Sequence, residues 1–192
     1  MDIFYGQAGR PLIVFFHGGY WQRGDKSIYS FVAKTYVAHG FSVALVGYDL
    51  CPYVTVTEIV GQARDALAYL QRNRGALGLE DAPIAVMGHS AGGHIIQMMA
   101  STDWPSFGSD LPKDLVGRSV SGSALSDLEP LRLTRAVNEK VGLDTQEARH
   151  QSPIHNPPRT NAPHLLIVGG DETAEFHRQA ETYAKKFATP DR

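Results

Sequence analysis

The segment Gly88-His89-Ser90-Ala91-Gly92 has the pattern G-x-S-x-G, and its position in the chain suits a serine nucleophile. It follows an apolar run, Ile84–Gly88, and precedes an apolar stretch with helical spacing. A serine at such a sharp strand-to-helix turn is strained and sits at the end of the sheet, and flanking glycines leave room for neighbouring backbone. Ser90 is therefore our candidate nucleophile for acyl transfer. The alternative is a glycine-rich turn whose serine caps the following helix.

A second glycine-rich segment, His17-Gly18-Gly19-Tyr20-Trp21, follows the first strongly apolar run. Acyl transfer needs backbone N–H groups directed at the oxygen that becomes negative in the tetrahedral intermediate. Consecutive glycines let a loop turn its amides inward, and a serine elbow supplies the second donor from the residue after the nucleophile. The predicted oxyanion hole therefore consists of Gly18, Gly19 and Ala91, with His17 supporting the loop by hydrogen bonding. The alternative is an ordinary strand-end turn with Tyr20 and Trp21 as core aromatics.

Short apolar runs alternate with longer amphipathic stretches, and this alternation predicts the elements that position the two segments. The runs are continuous, which is typical of strands covered on both faces in a parallel sheet. The predicted strands are Leu12–Phe16, Ser42–Gly47, Ile84–Gly88 and His164–Gly169, with a weaker one at Ser119–Leu125. The predicted helices are one capped by Ser27 and ending near Ala38, one over Thr57–Arg72, and one over Thr173–Phe187. The expected fold is α/β, with a mostly parallel central sheet and helices on both faces.

The composition excludes several classes of protein. The 192 residues suit one domain, which we expect to cover residues 1–192. The 18 Lys and Arg against 20 Asp and Glu give a net charge of −2, so no nucleic-acid or membrane partner is expected. No apolar run approaches the roughly 18 residues of a membrane helix, and no signal-peptide pattern is present. Because Cys51 is the only cysteine, a disulfide framework is excluded and a cytoplasmic protein is expected.

Four segments resemble the kynurenine formamidase (arylformamidase) group of the α/β-hydrolases. They are HGGYWQRGDKS from His17, GHSAGGH from Gly88, SALSDLEPL from Ser123 and GGDETAEFHRQ from Gly169. The resemblance implies hydrolysis of N-formyl-kynurenine to kynurenine and formate, a step of tryptophan degradation, without a metal or an organic cofactor. It also implies that Tyr20 and Trp21 lie near the aromatic part of this small-molecule substrate.

The resemblance further assigns the acid of a catalytic triad. Asp171, which follows the last clear strand, is the predicted acid, and the order of serine before acid agrees with this fold. Its alternative role is a turn or N-cap aspartate, and Asp127 is the reserve candidate for the acid. The histidine expected well downstream of Asp171 is not identified. Only His177 follows, early in the predicted helix, from which its side chain should point away from Ser90.

We therefore expect a chain that lacks N-terminal elements and the C-terminal histidine-bearing segment of the family, and hence an incomplete α/β-hydrolase fold. Without an outer neighbour, the strand at His164–Gly169 would form an exposed edge, so a homodimer through that edge is predicted. Two other functions remain open. One is a general carboxylesterase that acts on small esters through the same residues, and the other is a catalytically impaired fragment or binding module.

Overall fold

A computed structural model describes residues 1–79 and 82–189 of the chain. Within these ranges, six strands form one sheet in the order β1-β3-β2-β4-β5-β6. The strands are β1 (Asp2–Phe4), β2 (Leu12–Phe16), β3 (Ser42–Val46), β4 (Ile84–His89), β5 (Arg118–Gly122) and β6 (His164–Ile167). β1 pairs antiparallel with β3, and the other neighbouring strands pair in parallel. The predicted mostly parallel sheet is therefore confirmed.

Helices fill the connections between the parallel strands, and a final helix follows β6. They are α1 (Ser30–Ala38), α2 (Val56–Arg72), α3 (Ala91–Ala100), α4 (Trp104–Phe107), α5 (Glu129–Arg132), α6 (Arg135–Val141), α7 (Thr145–His150) and α8 (Ala174–Phe187). A 3₁₀ turn, Lys26–Tyr29, precedes α1, and Asp25 rather than Ser27 caps it. The Asp25 carboxylate accepts a hydrogen bond from the Ser27 amide over 2.8 Å. The predicted helix from Ser27 to Ala38 is thus a 3₁₀ turn followed by an α-helix.

The sheet lies between two apolar layers because its central strands carry apolar side chains on both faces. Every residue of β2 and of β3 is buried. On one face, Val14 and Val86 belong to the larger core with the buried stripes of α2 and α3. On the other face, Phe15 and Leu45 pack beneath α1. Helices therefore cover both faces of the central strands, as predicted, and fix the carboxyl ends of β2 and β4 next to each other.

α2 shows how local sequence sets the bounds of a helix. Thr55 and Glu58 form a capping box, in which the Glu58 carboxylate accepts from the Thr55 amide over 2.7 Å and the Glu58 amide donates to the Thr55 hydroxyl over 3.2 Å. The pair satisfies two backbone N–H groups that would otherwise lack partners at the helix start. Ile59, Ala63 and Leu70 lie on the buried face.

β6 is the strand at one end of the sheet and is shorter than the predicted run, because its ladder with β5 ends at Ile167. Among the described residues, no strand pairs with its outer side. Leu165 and Ile167 are 56% and 50% exposed, which is unusual for apolar residues of a parallel sheet. β6 is thus an edge strand, and its pairing with a second copy of the chain remains a prediction.

Two further kinds of feature are absent from the part of the chain that the structure describes. No helix there is both long and apolar enough to cross a bilayer. No group of three or more His, Cys, Asp or Glu side chains there is arranged to hold a metal ion.

Cys51 is a buried free thiol, and burial raises its pKa to about 11, so the thiol stays protonated at neutral pH.

Candidate active site

Ser90 occupies the turn between β4 and α3, and its backbone has a conformation that non-glycine residues rarely adopt. Its φ and ψ are 57° and −117°, and a positive φ of this kind costs a non-glycine residue about 1–3 kcal/mol. The turn is held on two sides, because the Ser90 N–H donates to the Gly122 carbonyl over 2.8 Å and the Ser90 carbonyl accepts from the His94 amide over 3.0 Å. The half-buried side chain therefore stands at the carboxyl end of β4 in the geometry of a nucleophile elbow.

Glycines around Ser90 allow two backbone segments to approach closely. A methyl group on Gly92 would collide with the Phe16 carbonyl at the end of β2. A methyl group on Gly18 would lie 3.2 Å from the Ser90 Cβ and 2.8 Å from the His89 carbonyl oxygen. The loop after β2 therefore lies directly against the serine turn, and side chains at these two positions would separate the segments.

The predicted oxyanion-hole residues lie on two sides of Ser90. Gly18 approaches Ser90 from the loop, and Ala91 is the first residue of α3, where backbone N–H groups have no partner within the helix. Gly19 has a φ of 123°, and its carbonyl accepts from the Arg23 amide over 3.2 Å, which closes a tight turn. The structure thus brings Gly18 and Ala91 next to Ser90, while the contacts of Gly19 are with Arg23 within the loop. The direction of each amide toward a bound substrate remains a prediction.

His17 lies under the loop and contacts it through both its ring and its backbone. Its Nδ1 is 2.7 Å from the Gly18 carbonyl oxygen, and its ring stacks on Tyr48 at 4.3 Å between centroids. The Tyr48 hydroxyl in turn donates to the His17 carbonyl over 2.7 Å. Burial lowers the pKa of His17, although the hydrogen bond to Gly18 opposes this effect. These contacts agree with the predicted role of His17 as a support of the loop, and no hydrogen bond joins its ring to Ser90.

The two aromatic residues of the loop have different environments. The Trp21 side chain is fully buried and packs edge-on against the His94 ring, with 5.0 Å between centroids. Tyr20 is half-buried and lines a cavity of about 150 Å³, together with Leu125 and Phe176. Trp21 is thus a core aromatic, as the alternative interpretation of this segment predicted. That the two rings lie near the aromatic part of a substrate remains a prediction.

The two predicted acids lie at the same end of the sheet but differ in their surroundings. Asp171 is exposed in the turn before α8, and among the described residues its carboxylate makes no hydrogen bond. Asp127 accepts from Arg178 over 3.2 Å and from the Glu129 amide over 3.2 Å, so both of its oxygens are engaged. Neither carboxylate contacts Ser90.

Sequence reasoning missed a third carboxylate, Glu172, which the structure ties to the end of β5. Its Oε1 accepts a hydrogen bond from the hydroxyl of the buried Ser123 over 2.7 Å. Ser123 has a φ of 42°, one of the few positive values at a non-glycine residue in the described chain. The only signal in the sequence is that Glu172 stands directly beside Asp171 in the segment that follows a predicted strand.

No histidine in the described ranges forms a hydrogen bond with the Ser90 hydroxyl. His94 is buried in α3, where its Nε2 donates to the Gln151 carbonyl over 2.7 Å, and burial lowers its pKa to about 4. His164 contacts the Ser121 hydroxyl over 2.8 Å. His89 is exposed next to Ser90, and His177 is half-buried on α8. Hydrogen bonds between catalytic groups are often long or absent before substrate binds, so these distances assign no base.

Comparison with known proteins finds one matching family and several similar hydrolases. A family model described as BD-FAE matches residues 1–186. Kynurenine formamidases from Salmo salar and Danio rerio are 33% and 32% identical to the chain, each over 91% of its length. The chain spans 58% and 59% of the lengths of these curated relatives, which is less than two thirds.

Solved structures give the same picture of the fold. A crystal structure from Silicibacter sp. TM1040, of a protein assigned provisionally as a thioesterase, is 36% identical with a TM-score of 0.81. The similarity covers 96% of this chain and 67% of that one. An esterase from Pyrobaculum calidifontis, 24% identical over 94% of this chain and 63% of that one, has a TM-score of 0.76 and supports the fold alone. With an α/β-hydrolase fold and a family match over nearly its whole length, the chain belongs to the BD-FAE family.

Proposed function

We propose that the chain is a serine hydrolase of the arylformamidase kind, which hydrolyses N-formyl-kynurenine to kynurenine and formate through Ser90. The observation that carries this proposal is the contact between the two glycine-rich segments, in which Gly18 lies against a strained Ser90. The similarity to two kynurenine formamidases supports the choice of substrate. The cavity beside Tyr20, lined mostly by apolar side chains, offers space for an aromatic group.

The proposed reaction has two steps of acyl transfer. Ser90 Oγ attacks the formyl carbon, and the carbonyl oxygen becomes negative while the amides of Gly19 and Ala91 donate hydrogen bonds to it. The bond between the formyl carbon and the aryl nitrogen then breaks, and the nitrogen leaves as an amine with the proton that Ser90 gave to a general base. Water next attacks the formyl ester of Ser90 and releases formate. Formyl is the smallest acyl group, so this site needs little room on the acyl side.

The experiment is to measure turnover of N-formyl-kynurenine by the purified chain and by its Ser90→Ala variant. We expect hydrolysis by the chain and a loss of about 10³-fold or more in kcat/KM for the variant, because no other group would form the covalent intermediate. Equal rates for the two proteins would refute the proposal.

A parallel measurement with p-nitrophenyl acetate tests the rival activity on small esters. If the ester is turned over with the higher kcat/KM, the chain is a general carboxylesterase that uses the same serine. If a fluorophosphonate probe does not label Ser90 in the folded chain, a binding module is favoured instead. The labelling of Ser90→Ala provides the background for that comparison.

A further inference from the structure

The loop after β2 contains three consecutive residues with positive φ. The values are 123° at Gly19, 51° at Tyr20 and 55° at Trp21. Glycine adopts such values readily, whereas Tyr20 and Trp21 keep them only where surrounding contacts hold the backbone in place. The same loop carries Gly18, which lies against Ser90. Contacts that hold Trp21 therefore also determine how the loop meets the serine turn.

His94 connects Trp21 with the serine turn. Both side chains are fully buried, and their rings meet edge-on with 5.0 Å between centroids. The His94 amide donates to the Ser90 carbonyl over 3.0 Å, and its ring Nε2 donates to the Gln151 carbonyl over 2.7 Å. One buried residue of α3 thus contacts the serine turn through its backbone and the loop after β2 through its ring.

Three buried polar atoms of these side chains have no hydrogen-bond partner among the described residues. They are Nε1 of Trp21, Nδ1 of His94 and Oε1 of Gln151. An indole N–H can only donate, whereas Nδ1 can only accept because Nε2 carries the ring proton of His94. Gln151 donates through its Nε2 to the Thr57 hydroxyl over 3.0 Å, which leaves Oε1 as a second acceptor beside one donor.

A water molecule has the hydrogen-bonding capacity that this set of atoms requires. Its oxygen accepts while its hydrogens donate, and buried waters typically make about three hydrogen bonds to groups that otherwise lack partners. Burial lowers the pKa of His94 to about 4, so the ring is neutral at neutral pH and Nδ1 keeps its lone pair. A metal cation would face the indole N–H, and an anion would face that lone pair. A neutral ligand that both donates and accepts therefore fits best.

We propose that one buried water molecule binds between Trp21 and His94 and fixes the loop after β2 against α3. The water accepts from the Trp21 N–H, donates to His94 Nδ1 and donates its second hydrogen to Gln151 Oε1. Trp21 and His94 are thus positioning residues, because they act on the reaction only through the loop that carries Gly18 and Gly19. This effect on catalysis rests on the proposed function, whereas the water site does not.

Nuclear magnetic resonance of the isotope-labelled chain tests the water site without any substrate. The chain has two tryptophans, so two indole N–H signals are expected, and Trp104→Phe identifies the signal of Trp21. We expect the Trp21 indole proton to show a nuclear Overhauser effect to a long-lived bound water. The lack of that effect would overturn the inference. A scalar coupling between Trp21 Nε1 and His94 Nδ1 would overturn it too, because it marks a direct hydrogen bond.

Kinetics of a matched pair of variants, Trp21→Phe and Trp104→Phe, test the effect on catalysis. Each replaces a buried tryptophan, keeps an aromatic ring and removes one indole N–H. We expect Trp21→Phe to lower kcat for N-formyl-kynurenine by about 10–100-fold with KM unchanged within about two-fold, because a displaced loop weakens contacts made only in the transition state. Trp104 lies beyond the C-terminal end of α3, so Trp104→Phe should change kcat by less than about two-fold.

Circular dichroism and urea unfolding show whether each variant is folded before its rates are compared. A folded Trp21→Phe with the kcat of the unsubstituted chain would overturn the positioning role, and so would losses of equal size in both variants. If Trp21→Phe does not fold, the nuclear Overhauser measurement on the unsubstituted chain decides. If the unsubstituted chain is no faster than Ser90→Ala, the proposed function fails, and the water site is still decided by that measurement.

Discussion

The buried imidazole of His94 makes the stability of the fold depend on pH. The ring lies wholly inside the protein, donates through Nε2 to the Gln151 carbonyl over 2.7 Å and packs against Trp21. Its Nδ1 is buried and has no hydrogen-bond partner in the described residues. Protonation would place a charge and a second donor at that nitrogen, far from bulk water. Burial therefore lowers the pKa of His94 from 6.5 to about 4.

The direction of the effect follows from where protons bind. Between pH 6.5 and pH 4 the unfolded chain takes up a proton at His94 that the folded chain does not, so the free energy of unfolding decreases as the pH falls through this range. The roughly 2.5 pH units between the two values correspond to about 3 kcal/mol, at about 1.4 kcal/mol each. About 2 kcal/mol of this is lost by about pH 5. Above pH 7 the contribution of His94 is constant.

Urea unfolding monitored by circular dichroism at pH 7.5, 6 and 5 measures this dependence. The comparison is between the unsubstituted chain and His94→Gln, which cannot be protonated. We expect the variant to lose about 2 kcal/mol less than the unsubstituted chain between about pH 7.5 and about pH 5. His150→Gln is the control, because His150 is exposed at the end of α7 and should leave the pH dependence unchanged. A pH dependence in His94→Gln equal to that of the unsubstituted chain would refute the reasoning.

Two further predictions concern the serine turn and the sheet edge. Gly92→Ala should lower the free energy of unfolding by about 3 kcal/mol or more, measured in urea, because the new methyl group meets the Phe16 carbonyl. Gly61→Ala in α2 is the control, because a methyl group there meets no other atom and should raise the free energy of unfolding by up to about 1 kcal/mol. A midpoint for Gly92→Ala near that of the unsubstituted chain would contradict the close approach. If β6 pairs with a second copy, size-exclusion chromatography should show a dimer that Leu165→Lys converts to monomer and Leu133→Lys does not. A monomer that persists at high concentration in the unsubstituted chain would exclude this interface.

Much of the sheet was predictable because its strands are buried on both faces. β2 matches the predicted run from Leu12 to Phe16, and β3 and β4 differ from their predictions by one residue at one end. Continuous apolar sequence is a strong signal for such strands, and G-x-S-x-G directly after one of them located the serine turn. β1 (Asp2–Phe4) was not predicted, because three residues carry no period and depend on pairing with β3.

The segment between β5 and β6 was harder to predict. Its helices α5, α6 and α7 have four, seven and six residues, which is too short for an apolar stripe to appear in the sequence. α5 and α6 begin without a side-chain cap, and α7 begins at a single one, the Asp144 carboxylate that accepts from the Glu147 amide over 2.7 Å. A Ser, Thr or Asp cap is common in loops as well, so it does not distinguish a short helix from a turn.

At the candidate site, the sequence did not show which of two adjacent residues of similar type makes a given contact. Asp171 and Glu172 are both acidic, and only the backbone of the turn decides which carboxylate meets Ser123. Tyr20 and Trp21 are both aromatic, yet one lines a cavity and the other is enclosed by the core. Sequence indicates that a turn carries such groups, whereas the direction of each side chain depends on dihedral angles that no pattern encodes.

The hydrogen bond from the Ser90 N–H to the Gly122 carbonyl has a consequence for the geometry of catalysis. In some serine proteases the amide of the nucleophile itself points at the developing anion. Here that proton is already committed to the adjacent strand. Under the proposed function, the anion would therefore be solvated by other peptide groups, and the substrate carbonyl would approach from the side of Ala91 and the loop after β2. Such an approach would restrict the face of the acyl carbon that the serine can attack.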